Sequence, residues 1–182
     1  MIVGITGSFG AGKGAMVEYL TGTRGFVHYS ASGFITEEVK RRGMPVDRDS
    51  MTTVANDLRA AFGPSYVIDS LYARAHDAGG DAVIESLRAV AEVRRIKELG
   101  GVVIGIDAPP ALRYERAVRR GSEKDHVSYE KWLAQEQAES NPNDPTKQNI
   151  FGALRESDAV ISNEGSIEEL HQKVDAVLAR LS

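Results

Sequence analysis

The chain has 182 residues, a formal charge of −4 and no cysteine, with 42% hydrophobic and 26% charged residues. This length suits one domain with its own core, and the lack of cysteine excludes a disulfide scaffold, a thiolate metal site, an iron–sulfur cluster and a cysteine nucleophile together. Mild acidity argues against duplex nucleic acid as a partner, and no apolar run approaches the roughly 20 residues that span a bilayer, so a soluble cytoplasmic protein without a membrane partner is expected.

In chain order, short apolar β-branched runs alternate with longer amphipathic ones, the pattern of parallel strands joined by crossover helices. The predicted strands are residues 2–6, 25–29, 81–85, 102–106 and 159–162. Helices are expected after the first strand, where Met16, Tyr19 and Leu20 share a face, and over residues 92–99 and 111–119. The clearest helical stripe is Ile167, Leu170, Val174, Val177, Leu178 and Leu181, preceded by Ser166 with Glu169 three residues on, a capping box. The resulting fold class is a three-layer α/β fold with a five-stranded parallel sheet. Residues 31–78 and 121–154 break the alternation and are read as insertions that carry the substrate-specific parts and moving lids of a site, on a core of 1–30, 79–120 and 155–182.

Gly7-Ser8-Phe9-Gly10-Ala11-Gly12-Lys13 follows the first predicted strand and opens the first predicted helix, giving G-x-x-x-x-G-K in its proper context. Glycines allow a tight turn whose N–H groups face an anion, the helix N-terminus adds positive potential, and Lys13 supplies a mobile charge for the outer phosphates. ATP is therefore the expected cofactor. Gly14 stands where the common motif has Ser or Thr, and Ala15 follows it, so Mg2+ lacks the hydroxyl that usually holds it.

From this loop onward the sequence resembles the nucleoside monophosphate kinases of the adenylate kinase type, whose loop also reads G-K-G, usually with threonine where Ala15 stands. The resemblance runs through residues 25–33, the segment entering the monophosphate-binding helices. It continues through residues 81–93, where Glu85 fills the acidic slot and Arg88 the arginine slot of a strand that in those kinases ends in Asp-Gly-Phe-Pro-Arg. Residues 104–120 look like the approach to the lid, and residues 160–166 look like the turn that cups the base. The last two segments are equally similar to dephospho-coenzyme A kinase, which carries an aspartate after its second strand where this chain has Ser30, Ala31 and Ser32. The arginine that adenylate kinases place shortly after the second-strand glycine falls near Thr36 and Glu37, neither of which is cationic.

Phosphoryl transfer needs cations around two mutually repelling phosphates. Arg88, past a strand's C-terminal end, is the candidate clamp for the acceptor phosphate, and with Lys13, Arg119 and Arg120 it makes up the expected catalytic set. The loop residues Gly7 to Ala15, with Arg116, Asn163 and Gly165, are expected to bind ATP. Ser32, Arg48, Arg59, Glu85 and Arg88 are the candidate acceptor-binding residues, and Glu85 and Asp107 the candidate Mg2+ carboxylates. Trp132 and Tyr129 are expected to pack within the lid, and the four histidines share no metal-ligand spacing. Residues 1–120 hold 16 basic against 14 acidic side chains and residues 121–182 hold 6 against 12, so the expected pocket is locally basic within an acidic chain. The implied reaction is transfer of the ATP γ-phosphoryl group to a nucleoside or deoxynucleoside monophosphate. Dephospho-coenzyme A kinase and a nucleotide-binding regulatory ATPase are the alternatives.

Overall fold

The computed structural model describes residues 1–120, 128–138, 140 and 147–181. Five strands form one parallel sheet: β1 (Ile2–Gly7), β2 (Val27–Ser30), β3 (Ala82–Leu87), β4 (Val102–Asp107) and β5 (Ala159–Ser162), in the order β2-β3-β1-β4-β5. β1 sits at the centre, paired with β3 on one side and β4 on the other, which is why its residues are buried almost throughout. The three-layer α/β P-loop fold expected from the alternation and the glycine-rich loop is the fold observed.

Side-chain alternation along the strands sends two sets of apolar residues to opposite faces. Val3, Ile5, Val83, Ile104, Ile106 and Ile161 pack with Met16, Leu20, Leu170, Val174 and Leu178 from α1 (Lys13–Gly22) and α9 (Ile167–Leu181). Leu170, Val174 and Leu178 of the expected stripe on α9 are thus core, Val177 and Leu181 pack against it and Ile167 is exposed, and Ser166 Oγ accepts from Glu169 N at 3.2 Å at the helix start. On the other face Ile84, Leu87 and Val103 pack with Val93 and Ile96 of α5 (Val90–Glu98) and Ala153 of α8 (Ile150–Glu156).

Between β2 and β3 the chain builds α2 (Ala31–Arg41), α3 (Arg48–Phe62) and α4 (Tyr66–Ala78), whose apolar faces join this second core through Ile35, Val39, Leu58, Ile68 and Leu71. Asp47 accepts from Ser50 N at 2.8 Å and so begins α3. After β4 come α6 (Pro110–Arg120) and α7 (Tyr129–Ala138). Trp132 is buried and meets Phe9, Tyr114 and Tyr129, with ring centroids 5.9–6.5 Å away. No helix among the described residues is long and apolar enough to cross a membrane.

Candidate nucleotide-binding site

β1 delivers the chain into the loop at Gly7, and α1 begins at Lys13, so the segment turns around the backbone over five residues. Two glycines make this turn possible. Gly10 has φ +78° and lies so close to α6 that a Cβ there would stand 2.3 Å from the Arg113 carbonyl oxygen. Gly12 has φ +107°, and its Cβ would stand 2.3 Å from Asn163 Nδ2. The loop is therefore wedged between the start of α6 and the β5–α9 turn. At Gly14 no atom lies within 4 Å of a Cβ, so space does not explain the missing hydroxyl there.

Phe9, Gly10, Gly12, Lys13, Gly14 and Ala15 line a cavity of about 510 Å³ together with Glu18, Glu85, Arg88, Arg116, Ala117 and Arg120. It opens at the C-terminal ends of β1 and β3, where open α/β sheets place ligands. A larger cavity of about 620 Å³ lies at the opposite ends of the strands, bounded by Met1, Thr23, Arg24, Phe26, Asp81 and Leu178, and contains none of the candidate residues. Chemistry rather than size marks the first cavity as the site.

Lys13 Nζ donates to the carbonyls of Gly7 at 2.7 Å and Ser8 at 2.9 Å. Burial pushes its ammonium down to about 7, Arg88 adds repulsion, and Glu85 opposes both. A phosphate entering the loop would supply the missing counter-charge.

Glu85 lies near the end of β3 beside Ser30, its register partner on β2. Ser30 Oγ donates to Glu85 Oε1 at 2.6 Å while accepting from Gly33 N at 3.0 Å, and Ser86 Oγ donates to Glu85 Oε2 at 2.6 Å. His28 Nε2 lies 3.7 Å from Oε1. At Ser86 the pairing slips: Ile5 faces Glu85 but Thr6 faces Leu87, leaving Ser86 as the extra residue of a bulge at φ +73°. Arg88 follows, its N–H donating to Glu92 Oε2 at 2.7 Å and its carbonyl accepting from Asn149 N at 2.7 Å. Its backbone is thus fixed from both sides.

Several of the candidate ligand residues make contacts within the fold or lie away from the cavity lining. Arg59 is 3% exposed, and its Nε and Nη2 donate to Glu92 Oε1 at 3.1 and 2.8 Å, so it holds α3 to α5 rather than facing the cavity. Asn163 is 7% exposed; its Nδ2 donates to the Ala11 carbonyl at 2.8 Å and its backbone carbonyl accepts from Arg116 Nη1 at 2.8 Å. It props the loop from the β5–α9 turn. Gly165, Ser32, Ser8, Gly7 and Ala11 also lie outside the cavity lining. Asp107 Oδ1 lies 3.3 Å from Arg113 Nε, and its side chain is not part of the cavity lining. Arg119 points into solvent, 77% exposed and bonded to Glu115 at 2.5 Å, whereas Arg120 lines the cavity with its guanidinium 5.1 Å from the Phe9 ring centroid. The side chain of Arg48 lies outside the described residues, as do residues 121–127, 139 and 141–146 of the expected lid.

Sequence reasoning missed Arg113. It is 2% exposed, donates to the carbonyls of Ala108 at 2.7 Å and Phe9 at 3.2 Å, and pairs with the buried Glu136 of α7 while lying over Trp132. It therefore joins the loop, α6 and α7 in one contact set. Glu92 was also missed, although a glutamate three residues after Ala89 is the spacing of a helix-start cap, and its Oε2 accepts from Ala89 N at 3.1 Å. Among the described residues no three His, Asp or Glu side chains are grouped to hold a metal. Glu85 and Glu18 are the carboxylates in the cavity lining, too few to form a protein cage, which suits Mg2+ held chiefly by phosphates and water.

Residues 3–141 match the AAA_18 family, described as an AAA domain. The chain belongs to that family. The match takes in the loop, Glu85, Arg88 and the arginines of α6. A UPF0200 protein, PAE1629 of Pyrobaculum aerophilum, is 29% identical, with 99% of this chain and 98% of the relative covered. Among solved structures, TT1252 from Thermus thermophilus superposes with a TM-score of 0.64 at 21% identity, covering 100% of this chain and 98% of its own. Shikimate kinase from Acinetobacter baumannii, in complex with shikimate, gives 0.61 at 16% identity, covering 98% and 93%. These likenesses establish that the AAA_18 chain has a P-loop kinase-like fold.

Proposed function

We propose that the protein transfers the γ-phosphoryl group of ATP to a nucleoside or deoxynucleoside monophosphate. The observation that carries this reading is the convergence of Lys13, Arg88, Arg116 and Arg120 on one cavity at the mouth of the phosphate loop, whose lining also includes Glu85. Four cations around one space suit two phosphorylated ligands that repel each other. A water-filled site would waste ATP by hydrolysis, and α7, docked beside the loop through Trp132 and Phe9, is suited to excluding solvent.

In this reading the loop N–H groups and Lys13 hold the donor's β- and γ-phosphates, and Arg116 and Arg120 neutralise them from α6. Arg88 holds the acceptor phosphate, one of whose oxygens forms a bond to the γ-phosphorus as the bond to the β–γ bridging oxygen breaks. ADP leaves and a diphosphate is formed. Mg2+, held by ATP oxygens, water and Glu85, would add charge neutralisation at the phosphates.

One observation favours a second acceptor class. The carboxylate that dephospho-coenzyme A kinase carries after its second strand is absent, yet Glu85 is hydrogen-bonded to Ser30 at that strand's end. A carboxylate there could take the proton of an attacking hydroxyl. A coupled assay with Mg·ATP and a panel of ribo- and deoxyribonucleoside monophosphates tests the first reading. Acceptor-stimulated ADP formation is expected; stimulation only by dephospho-coenzyme A or another hydroxyl acceptor supports the second. Hydrolysis alone, with a protein partner recovered only in the ATP state, supports a regulatory ATPase.

A further inference from the structure

We infer that Ser86 is a positioning residue: the chain keeps a strained backbone at this position so that its hydroxyl, with that of Ser30, aims the Glu85 carboxylate into the cavity. The inference rests on the phosphotransferase reading and goes beyond it by giving a role to a residue that does not line the cavity.

Among the described residues Ser86 is the one non-glycine with positive φ, at +73°. Elsewhere the chain meets that requirement with glycine, as at Gly10, Gly12, Gly25 and Gly43. A Cβ in this region costs energy that glycine avoids, so serine here needs a compensating reason. The bulge supplies half of it. By leaving Ser86 out of register, it lets Leu87 return to pairing with Thr6, whose Oγ1 donates to the Leu87 carbonyl at 2.8 Å, and it brings Glu85 and Arg88 to the same cavity. Glycine would serve that purpose equally well. The hydroxyl supplies the other half. Ser86 Oγ donates to Oε2 at 2.6 Å and Ser30 Oγ to Oε1 at 2.6 Å, so each carboxylate oxygen is held by its own donor. A carboxylate fixed at both oxygens presents its remaining lone pairs in one direction and loses little freedom when it meets a metal-bound water or an acceptor proton.

Two variants separate strain from hydroxyl. Ser86→Gly relieves the backbone and removes the donor; Ser86→Ala removes the donor and keeps the Cβ. Ser86→Gly is expected to melt about 2–4 °C above the parent, and Ser86→Ala no higher than it. Both should lower kcat by about tenfold to a hundredfold while leaving KM for ATP within about twofold, because the loop and Lys13 are untouched. A Ser86→Gly protein that melts at or below the parent overturns the proposal, and so does one that melts higher but keeps full kcat. If the parent transfers no phosphoryl group to any acceptor, the proposed reaction fails by itself. Mn2+ binding to the ADP-loaded protein, read from the free-ion electron paramagnetic resonance signal, then replaces turnover. Weaker Mn2+ binding in both variants supports the role of Ser86, and unchanged binding overturns it.

Discussion

Asn163 fills the space that a side chain on Gly12 would need: its Nδ2 stands 2.3 Å from that Cβ position and donates to the Ala11 carbonyl at 2.8 Å. The phosphate loop is thus shaped by a residue about 150 positions away, and both partners are testable. Gly12→Ala meets the amide and a positive φ together, and should abolish detectable nucleotide binding. Asn163→Ala removes the donor from a buried carbonyl and should cost about 1–3 kcal/mol in stability. It should also weaken nucleotide binding. Thermal melts and titration with a fluorescent ATP analogue read both effects.

The Lys13 ammonium predicts proton uptake on nucleotide binding. Its pKa in the free protein is near 7, lowered by burial first and by Arg88 second, and a bound phosphate restores the charged form. At pH 8 binding should therefore take up close to one proton, and at pH 6 almost none. Calorimetry in buffers of different ionisation enthalpy measures this, and Lys13→Arg, charged throughout, should abolish the uptake. Stability follows the same sign. Between about 7 and 10.5 the unfolded chain holds a proton that the folded one lacks, so the ligand-free protein gains stability as pH rises through that window. Below it the full penalty of burying the charge remains.

Arg59 and Arg88 should part company under mutation. Arg59→Ala leaves Glu92 buried without its cation and should cost about 3–5 kcal/mol. Arg88→Ala removes a guanidinium from the cavity while its backbone contacts persist, so it should lower acceptor use far more than stability or ATP binding. Urea denaturation and steady-state kinetics on the two variants distinguish a structural arginine from a ligand-binding one.

What the sequence made legible is the part whose signals are local. The strand-to-helix glycine loop, five short β-branched runs and the Ser166–Glu169 helix start are each contained within a few residues. The ends of strands were less exact, since β3 runs two residues further through a bulge that no local pattern announces. The roles of Arg59, Arg113 and Asn163 depend on partners distant in sequence: Glu92, the Phe9 carbonyl and the Ala11 carbonyl. A charged or amide side chain reads the same in sequence whether it meets a phosphate or a buried backbone group. Only the fold tells them apart.

The two neighbouring arginines at the end of α6 provide another contrast. Arg120 lines the cavity beside Phe9, and Arg119 is bonded to Glu115 on the solvent side. Arg120→Ala should reduce kcat/KM for ATP by about tenfold or more, whereas Arg119→Ala should stay within about twofold of the parent. Steady-state kinetics at fixed ionic strength decides between them.

The measurement closest to the central claim is phosphorus NMR of a reaction containing the protein, Mg·ATP and an equimolar mixture of nucleoside monophosphates. Loss of a monophosphate resonance and growth of the paired α- and β-phosphate resonances of a new nucleoside diphosphate alongside ADP are expected, both abolished by Lys13→Ala. Growth of ADP and inorganic phosphate alone, with every monophosphate resonance unchanged, would contradict the claim.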